Sequence, residues 1–401
     1  MTRPALSERA LIGLLAAVTA AGPVALNIYL PVLPLVQAEF GVSVAAASLT
    51  VSAPLAAFAI GLLAWGPLSD HHGRRPVIVA GLAVAMLGTL VALIAPSVGW
   101  LTLGRVVQSL GAAAGVTVAR ATIGDRFGRE RMARMIAYLT MVMLLANSLA
   151  PAAGGALGSL AGWRAVFVLL FAALLAVGLL AWACLPETRL AEHRVPGRPL
   201  AASLELLRTP VFVGLALVSG AIYAEFFVFV SLMPYVFKET LGHSTTEYGL
   251  WYLSIAIGYF AGNLFVSRYA ARAGVERLLL AGVVVSALAA VLGWLLAYAG
   301  DWQPLALFGP WFVIAFGQGL SLPALTAHAV AHAPRAAGAA SGLLGFAQQF
   351  LGAIAVQGMA GASIATPLPI TGCCALIALG AWGALAVTQR LPDRAPAAHL
   401  G

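Results

Sequence analysis

Residues 66–76 read Gly66-Pro67-Leu68-Ser69-Asp70-His71-His72-Gly73-Arg74-Arg75-Pro76 and separate two long apolar segments. Gly73 can adopt the left-handed backbone conformation that ends a helix, and Pro76 suits the first turn of the next helix. The Asp70 carboxylate can bind the arginines or a helix N-terminus. We predict a tight, charged turn at the cytoplasmic face, a conformational latch formed by Gly66, Asp70, Gly73, Arg74 and Arg75. The alternative is an ordinary charged loop.

The apolar character of the two flanking segments extends over the whole chain. Of the 401 residues, 61% are hydrophobic and 9% are charged, against about 25% charged in soluble domains. So few charges cannot cover a water-facing surface, which excludes soluble, disordered, collagen-like and disulfide-rich proteins. Cys184, Cys373 and Cys374 lie inside apolar segments, so we interpret them as small core residues rather than metal ligands.

The number of helices follows from the length of these segments, because a membrane helix needs about 20 apolar residues. We predict an all-α membrane protein, and expect the first span to be retained rather than cleaved as a signal peptide. The twelve predicted spans are 10–34, 45–69, 76–96, 99–119, 134–160, 163–185, 210–236, 246–270, 275–298, 303–327, 338–360 and 367–389.

The basic residues predict the orientation. With both termini in the cytoplasm, almost all of the 22 basic residues fall on the cytoplasmic side, and only Arg164 and Lys238 fall outside. This is the asymmetry of the positive-inside rule, and it explains the net charge of +8 better than nucleic-acid binding does. We therefore expect a multi-pass protein of a bacterial inner membrane, with the lipid bilayer rather than nucleic acid as its partner.

The longest hydrophilic stretch divides the chain into similar halves. We predict an N-terminal six-helix bundle over 1–185, a cytoplasmic linker over 186–209 and a C-terminal six-helix bundle over 210–401. Tyr29-Leu30-Pro31 at the end of span 1 is similar to Leu232-Met233-Pro234 at the end of span 7. Repeated halves are typical of transporters, whose substrate site lies near the membrane midplane.

Three motifs together carry a resemblance to a known family. Residues 66–76 resemble the G-x-L-x-D-x-x-G-R-R/K signature of the major facilitator superfamily, and residues 104–111 are similar to its R-x-x-Q-x-x-G motif. Residues 150–155 resemble the exporters' G-P-x-x-G-G motif, with Ala150 in place of the first glycine. The pattern resembles the bicyclomycin and chloramphenicol resistance (Bcr/CflA) drug:proton antiporters. The resemblance implies a monomeric carrier of small molecules and protons, with alternating access and no cofactor.

Two features of this pattern also have a direct physical interpretation. Pro151, Gly154 and Gly155 form a small-residue face that we predict to act as a helix-packing gate, the alternative being a purely structural packing seam. Arg105 is a cation within span 4, which costs about 2.5 to 3.5 kcal/mol on insertion scales, so we expect it to face the protein interior. The alternative is a side chain that reaches up to the outer water. The resemblance implies a role in proton coupling or in the hydrogen bonds of the cavity.

The proton carrier departs from the family pattern. Relatives have an acidic residue in a D-x-Y-L-P element, where this chain has Asn27. An amide cannot carry a proton, although it can bind a substrate or Arg105. Glu225 lies near the middle of span 7 without a helical neighbour that could neutralise it, and burial favours the protonated form of a carboxyl. Our hypothesis is that Glu225 replaces the missing acid; the alternative is a permanently neutral, packed carboxyl.

These considerations lead to one preferred function and one alternative. We predict proton-coupled efflux of small, mostly apolar drugs or metabolites; the alternative is a facilitator or symporter of one metabolite, suggested by Asn27. Motifs of an enzyme are absent from the sequence. His328 and His332 have metal-ligand spacing but lack a third ligand, so we favour interfacial histidines and predict no metal. The predicted substrate cavity consists of Asn27, Tyr29, Gln108, Tyr223, Phe226 and Gln348.

Overall fold

A computed structural model describes residues 7–127, 129–188, 204–331, 337–362 and 365–391. Within these ranges every regular element is helical. Twelve helical segments are long and apolar enough to cross a membrane. The predicted all-α fold with twelve transmembrane helices is therefore confirmed.

The helices preceding the hydrophilic stretch are α1 (Glu8–Asn27), a 3-10 turn (Leu30–Val32), α2 (Leu33–Phe40), α3 (Val44–His72), α4 (Arg74–Leu93), α5 (Val98–Arg126), α6 (Arg129–Ala161) and α7 (Arg164–Cys184). Those following it are α8 (Pro210–Tyr235), a π-helical turn (Val236–Thr240), α9 (Thr245–Ala273), α10 (Val275–Tyr298), α11 (Pro304–Ala331), α12 (Ala337–Ala360) and α13 (Leu368–Thr388).

The first span is longer than predicted. It continues past the expected end at 34 to Phe40, because Pro31 and Pro34 each stand in the first turn of a new helical segment, where a missing N–H group is tolerated. The span ends at Gly41, which has a φ of +60° and whose N–H donates to the Gln37 carbonyl oxygen. Apolarity predicted the membrane-embedded part, but not the helix ends.

The turn between α3 and α4 is as tight as the sequence indicates. Gly73 is the single residue between the two helices, and its N–H donates to the Ser69 carbonyl oxygen over 3.1 Å. Its φ of +101° lies in the region that favours glycine. Its ψ of 158° is extended rather than left-handed helical, which corrects the predicted conformation. Pro76 lies in the first turn of α4, as expected.

The chain divides into two compact units. The first contains Met1–Gly197 and His243–Leu250, and the second contains Arg198–Gly242 and Trp251–Gly401. Of the predicted linker, residues 189–203 lie outside the described ranges.

A closely packed helix pair recurs in each unit. A Cβ atom added at Gly111 of α5 would clash with the backbone of Gly81 and Ala85 in α4. In the second unit, a Cβ at Gly317 of α11 would clash in the same way with residues 282 and 286 of α10. Glycine at both places lets the helices approach closely. Gly111 and Gly317 therefore occupy equivalent positions in the two units.

Candidate functional site

Arg105 lies at the centre of the first unit, on the α5 helix. Its side chain is fully buried. Nη1 donates to the Ala25 carbonyl oxygen over 2.8 Å and to Gln108 Oε1 over 2.9 Å, and Nε donates to the Thr50 carbonyl oxygen over 3.3 Å. The guanidinium carbon lies 4.4 Å from the centroid of the Tyr29 ring. Arg105 therefore faces the protein interior, and does not reach up to water.

The groups around Arg105 are themselves held in place. Gln108 Nε2 donates to Thr89 Oγ1 over 2.8 Å, and the Tyr29 hydroxyl shares a 2.8 Å hydrogen bond with Thr50 Oγ1. Tyr29 and Gln108 are both fully buried. The two predicted cavity residues therefore support Arg105, Tyr29 through its ring and Gln108 through a hydrogen bond.

Asn27 occupies the position of the family acid and is also buried. Its Nδ2 donates to the Pro23 carbonyl oxygen over 3.0 Å and to Asn147 Oδ1 over 2.8 Å. Asn27 is thus bonded to α6 instead of to Arg105. Asn27 Oδ1 and Arg105 Nη2 are buried without a hydrogen-bond partner. Buried polar groups normally have partners, and Gln37 Oε1, Ser48 Oγ and Ser109 Oγ of the same unit are also buried without one.

Glu225 lies inside the second unit, on α8, with 1% of its surface exposed. Gln318 Nε2 of α11 donates to Glu225 Oε2 over 3.3 Å and to the Ile222 carbonyl oxygen over 3.5 Å. The Cys374 thiol of α13 donates to the Glu225 carbonyl oxygen over 3.6 Å. Glu225 Oε1 has no hydrogen-bond partner. Over the described ranges, Glu225 forms no ion pair.

The second unit has an aromatic pair where the first unit has its buried cation. Arg105 stands six residues before Gly111, and Trp311 stands six residues before the equivalent Gly317. Arg105 lies over Tyr29, whereas Trp311 stacks on Phe229 with a centroid distance of 4.1 Å. The equivalent position in α11 therefore supplies an indole instead of a cation, and the carboxyl on α8 has a neutral amide as its partner.

The remaining predicted cavity residues lie in the second unit and are half-buried. The Phe226 ring is 5.2 Å from the Phe227 ring and 6.4 Å from the Tyr252 ring. Tyr223 lies 6.2 Å from Phe227. Gln348 Nε2 of α12 donates to Ser219 Oγ over 2.9 Å. The structure thus places Tyr223, Phe226 and Gln348 on one unit, and Asn27, Tyr29 and Gln108 on the other.

The predicted latch residues meet around Arg74, whose side chain is almost completely buried. Arg74 Nη1 lies 2.8 Å from Asp70 Oδ1, and Nη1 also donates to Ser69 Oγ over 2.6 Å. Arg74 Nε lies 2.8 Å from Asp125 Oδ2 at the end of α5. Asp125 is not among the predicted latch residues, although a carboxylate in the last turn of a span is a signal that could have identified it. Gly66 packs α3 against α5, since a Cβ there would lie 3.4 Å from Thr117 Cγ2.

Glu187, just after α7, is a second carboxylate of the latch that sequence reasoning missed. Its Oε1 accepts the Arg74 N–H over 2.9 Å, and its Oε2 accepts the Arg75 N–H over 3.3 Å. A carboxylate on the first N–H groups of a helix is stabilising. Arg75 Nη2 donates to the Trp182 carbonyl oxygen over 2.5 Å. The latch therefore joins the ends of α3, α4, α5 and α7.

The small residues of α6 allow close backbone contacts. A Cβ at Gly154 would clash with the Ile28 carbonyl oxygen, and one at Gly155 would clash with the Thr245 carbonyl oxygen. Thr245 Oγ1 donates to the Gly155 carbonyl oxygen over 3.0 Å. A Cβ at Gly249 would lie 2.7 Å from the Pro151 carbonyl oxygen. These contacts are internal to the first unit, which includes residues 243–250.

The histidine pair provides no metal centre in the described part of the chain. His328 lies near the end of α11, whereas His332 falls outside the described residues. Over the described ranges, no three His, Cys, Asp or Glu side chains are placed so that they could hold a metal ion.

Comparison with known proteins identifies the family. The Major Facilitator Superfamily profile matches residues 15–356. Multidrug resistance protein D of Escherichia coli is 28% identical, covering 97% of this chain and 96% of its own. The Bicyclomycin resistance protein homolog of Haemophilus influenzae is 27% identical, covering 90% and 92% respectively. A bacterial homolog of the human lysosomal transporter Spinster, solved in an inward-facing conformation, shares the fold with a TM-score of 0.70, 18% identity and 96% of each chain covered.

Proposed function

Because the chain belongs to the major facilitator superfamily, we propose that this membrane transporter exports small, mostly apolar drugs or metabolites in exchange for protons. Two relatives carry the names of multidrug and bicyclomycin resistance, which favours efflux over uptake. The half-buried rings of Tyr223 and Phe226 favour apolar substrates. The protein lies in a bacterial inner membrane with both termini in the cytoplasm, as the positive-inside rule favours.

The burial and bonding of Glu225 carry the proposal of proton coupling. An intramembrane carboxyl that has no cation beside it can change its charge, whereas an arginine partner would hold it ionised. Glu225 binds a proton in one conformation and releases it in the other. Asn27 contributes hydrogen bonds in the first unit and carries no proton.

Arg105 has a complementary role in this proposal. Three acceptors and an aromatic face stabilise its positive charge, so the guanidinium stays fixed while the Glu225 charge changes. Its unpartnered Nη2 and the Oδ1 of Asn27 bind polar atoms of the substrate. Tyr29 and Gln108 hold the guanidinium in the orientation that this requires.

The latch and the small-residue face serve alternating access. The ion pairs of Arg74 with Asp70 and Asp125 stabilise one conformation, and their release permits the other. The close contacts of Gly154 and Gly155 with residues 28 and 245 form a smooth packing seam that lets the helices of this unit shift against each other during the cycle.

Drug-susceptibility profiles of cells with and without the protein first identify a transported drug. Its accumulation is then measured in everted vesicles with an acidic interior. We expect the wild type to accumulate the drug and Glu225→Gln to lose gradient-driven accumulation. Glu276→Gln, which changes an exposed carboxyl of the same unit, is the matched control and should transport normally. Undiminished gradient-driven transport by Glu225→Gln would eliminate Glu225 as the proton carrier.

Asn27 supports a second candidate function, a facilitator or symporter of one metabolite, because it replaces the acid of the drug:proton antiporters. Accumulation that is independent of the pH gradient would favour a facilitator. Accumulation driven by a gradient of the opposite sign would favour a symporter.

A further inference from the structure

We propose that Gln318 is a positioning residue for proton exchange at Glu225, because its amide can bind both the charged and the neutral form of that carboxyl. The inference rests on the proposed function of Glu225 as a proton carrier. It adds a residue from α11 that no motif of the sequence indicates.

The geometry places the amide end of Gln318 against the carboxyl group. Nε2 donates to Glu225 Oε2, and the same nitrogen reaches the Ile222 carbonyl oxygen one turn earlier in α8. Gln318 itself is 4% exposed, so water does not replace this contact. The amide thus fixes one carboxyl oxygen and leaves Oε1 without a partner.

An amide can both donate and accept hydrogen bonds, whereas a lysine or arginine side chain can only donate them. It presents an N–H donor and a carbonyl acceptor at the same planar end, and a half-turn of that end exchanges them. The N–H donates to the carboxylate, and the amide oxygen accepts from the O–H of the protonated acid. A lysine or arginine has donors alone and stabilises only the carboxylate. Gln318 therefore keeps the carboxyl in place through both states.

The surroundings of Glu225 contain no competing charge. The α8 helix packs on α11, α12 and α13, and in these four helices Glu225 is the only Asp, Glu, Lys or Arg. The Cys374 thiol of α13 contacts the Glu225 carbonyl oxygen. Tyr223 lies two residues before Glu225 in α8, and His328 lies ten residues after Gln318 in α11. From α9, the Tyr252 ring reaches Phe226, a neighbour of Glu225 in sequence. Among these neighbours, Gln318 is the side chain that forms a hydrogen bond with the Glu225 carboxyl group.

The test is the pH profile of gradient-driven drug accumulation in vesicles containing the full-length protein. Gln318→Leu removes the amide at nearly constant size and should move the pH of half-maximal accumulation upward by about one pH unit, because the hydrogen bond to the charged carboxylate is stronger than the one to the neutral acid. Gln318→Glu keeps the size and adds a second carboxyl, so the pair should titrate in two steps. Gln357→Leu in α12 is the matched control and should leave the profile unchanged.

A spectroscopic readout separates positioning from a merely structural role. The infrared carbonyl band of the protonated Glu225, assigned by its loss in Glu225→Gln, should titrate at higher pH in Gln318→Leu and split into two steps in Gln318→Glu. Unshifted band and transport profiles in both variants would overturn the role of Gln318 while leaving Glu225 as the carrier. Normal proton-driven transport by Glu225→Gln would instead refute the proposed function. If Gln318→Leu fails to fold, Gln318→Met, which also lacks the donor but keeps the unbranched shape of the glutamine side chain, decides the result by the same shift.

Discussion

Replacing Arg105 tests whether the first unit needs a guanidinium or only a positive charge. Arg105→Lys keeps the buried cation, but a single ammonium nitrogen cannot bond Ala25, Thr50 and Gln108 in the fork geometry of Nε and Nη1. At least one charge-assisted hydrogen bond is lost, at about 1.5 to 3 kcal/mol, together with the flat contact on Tyr29. We expect the free energy of unfolding to fall by about 2 to 4 kcal/mol.

Arg105→Met should be the milder change, although it removes the charge altogether. It loses all three hydrogen bonds, but it also removes the cost of a buried cation, about 2.5 to 3.5 kcal/mol. Gln108 Oε1 then lacks a donor, so a net loss of about 1 kcal/mol remains. The methionine variant should therefore unfold at a higher temperature than the lysine variant, while both lose export.

Thermal unfolding of the purified protein in detergent measures this order. A thiol-reactive dye reports exposure of Cys374, which is 1% exposed when folded, in a background where alanine replaces the half-buried Cys184 and Cys373. Arg126→Lys, at the exposed end of the same helix, is the control and should leave the unfolding temperature unchanged. A lysine variant as stable as wild type, with a methionine variant far less stable, would show that charge alone matters and would refute the fork argument.

Two further perturbations follow from the contacts of the buried groups. Asp125→Asn should lower the free energy of unfolding by about 1 kcal/mol more than Asp70→Asn does, and should also lower the initial export rate more. The reason is that Asp125 is the less exposed partner of Arg74 and accepts from two of its nitrogens. Equal effects of the two variants in unfolding and transport measurements would contradict this. Asn27→Asp in the Glu225→Gln background should restore pH-dependent drug accumulation in everted vesicles, since it returns a carboxyl to the family position, and an inactive double variant would argue against exchangeable carriers.

The sequence predicts the charged residues of this site but not all of the polar residues that contact them. Arg105 and Glu225 could be found because a charge within an apolar span is costly and must have partners inside the protein. Of their partners, Tyr29 and Gln108 were already predicted cavity residues. Gln318 and Thr50 could not be found in this way, because they are polar residues that any buried helix can contain. Which of them meets a charge depends on helix rotation and on close packing, such as that at Gly317.

In the latch, too, the sequence predicts the local turn but not the residues that reach it from other helices. The glycine and the arginines of residues 66–76 predicted a tight charged turn, and Gly73 forms it with a positive φ. Asp125 and Glu187 come from distant parts of the sequence, and hydropathy says only that they lie near the ends of spans. Asp125 accepts from the side chain of Arg74, and Glu187 accepts from its backbone N–H. This convergence can be seen only once the positions of the four helices in space are known.

The different environments of the two buried charges assign them different tasks. Arg105 has three oxygen acceptors and an aromatic ring around a group that always carries its charge in proteins. Glu225 has one neutral amide, an unpartnered oxygen and helices without another Asp, Glu, Lys or Arg around it. A carrier of protons must lose its charge at little cost, and only the second environment permits this. We therefore assign the proposed proton exchange to Glu225 and not to Arg105, because the α11, α12 and α13 helices that pack on α8 contain no arginine or lysine that would hold the carboxylate ionised.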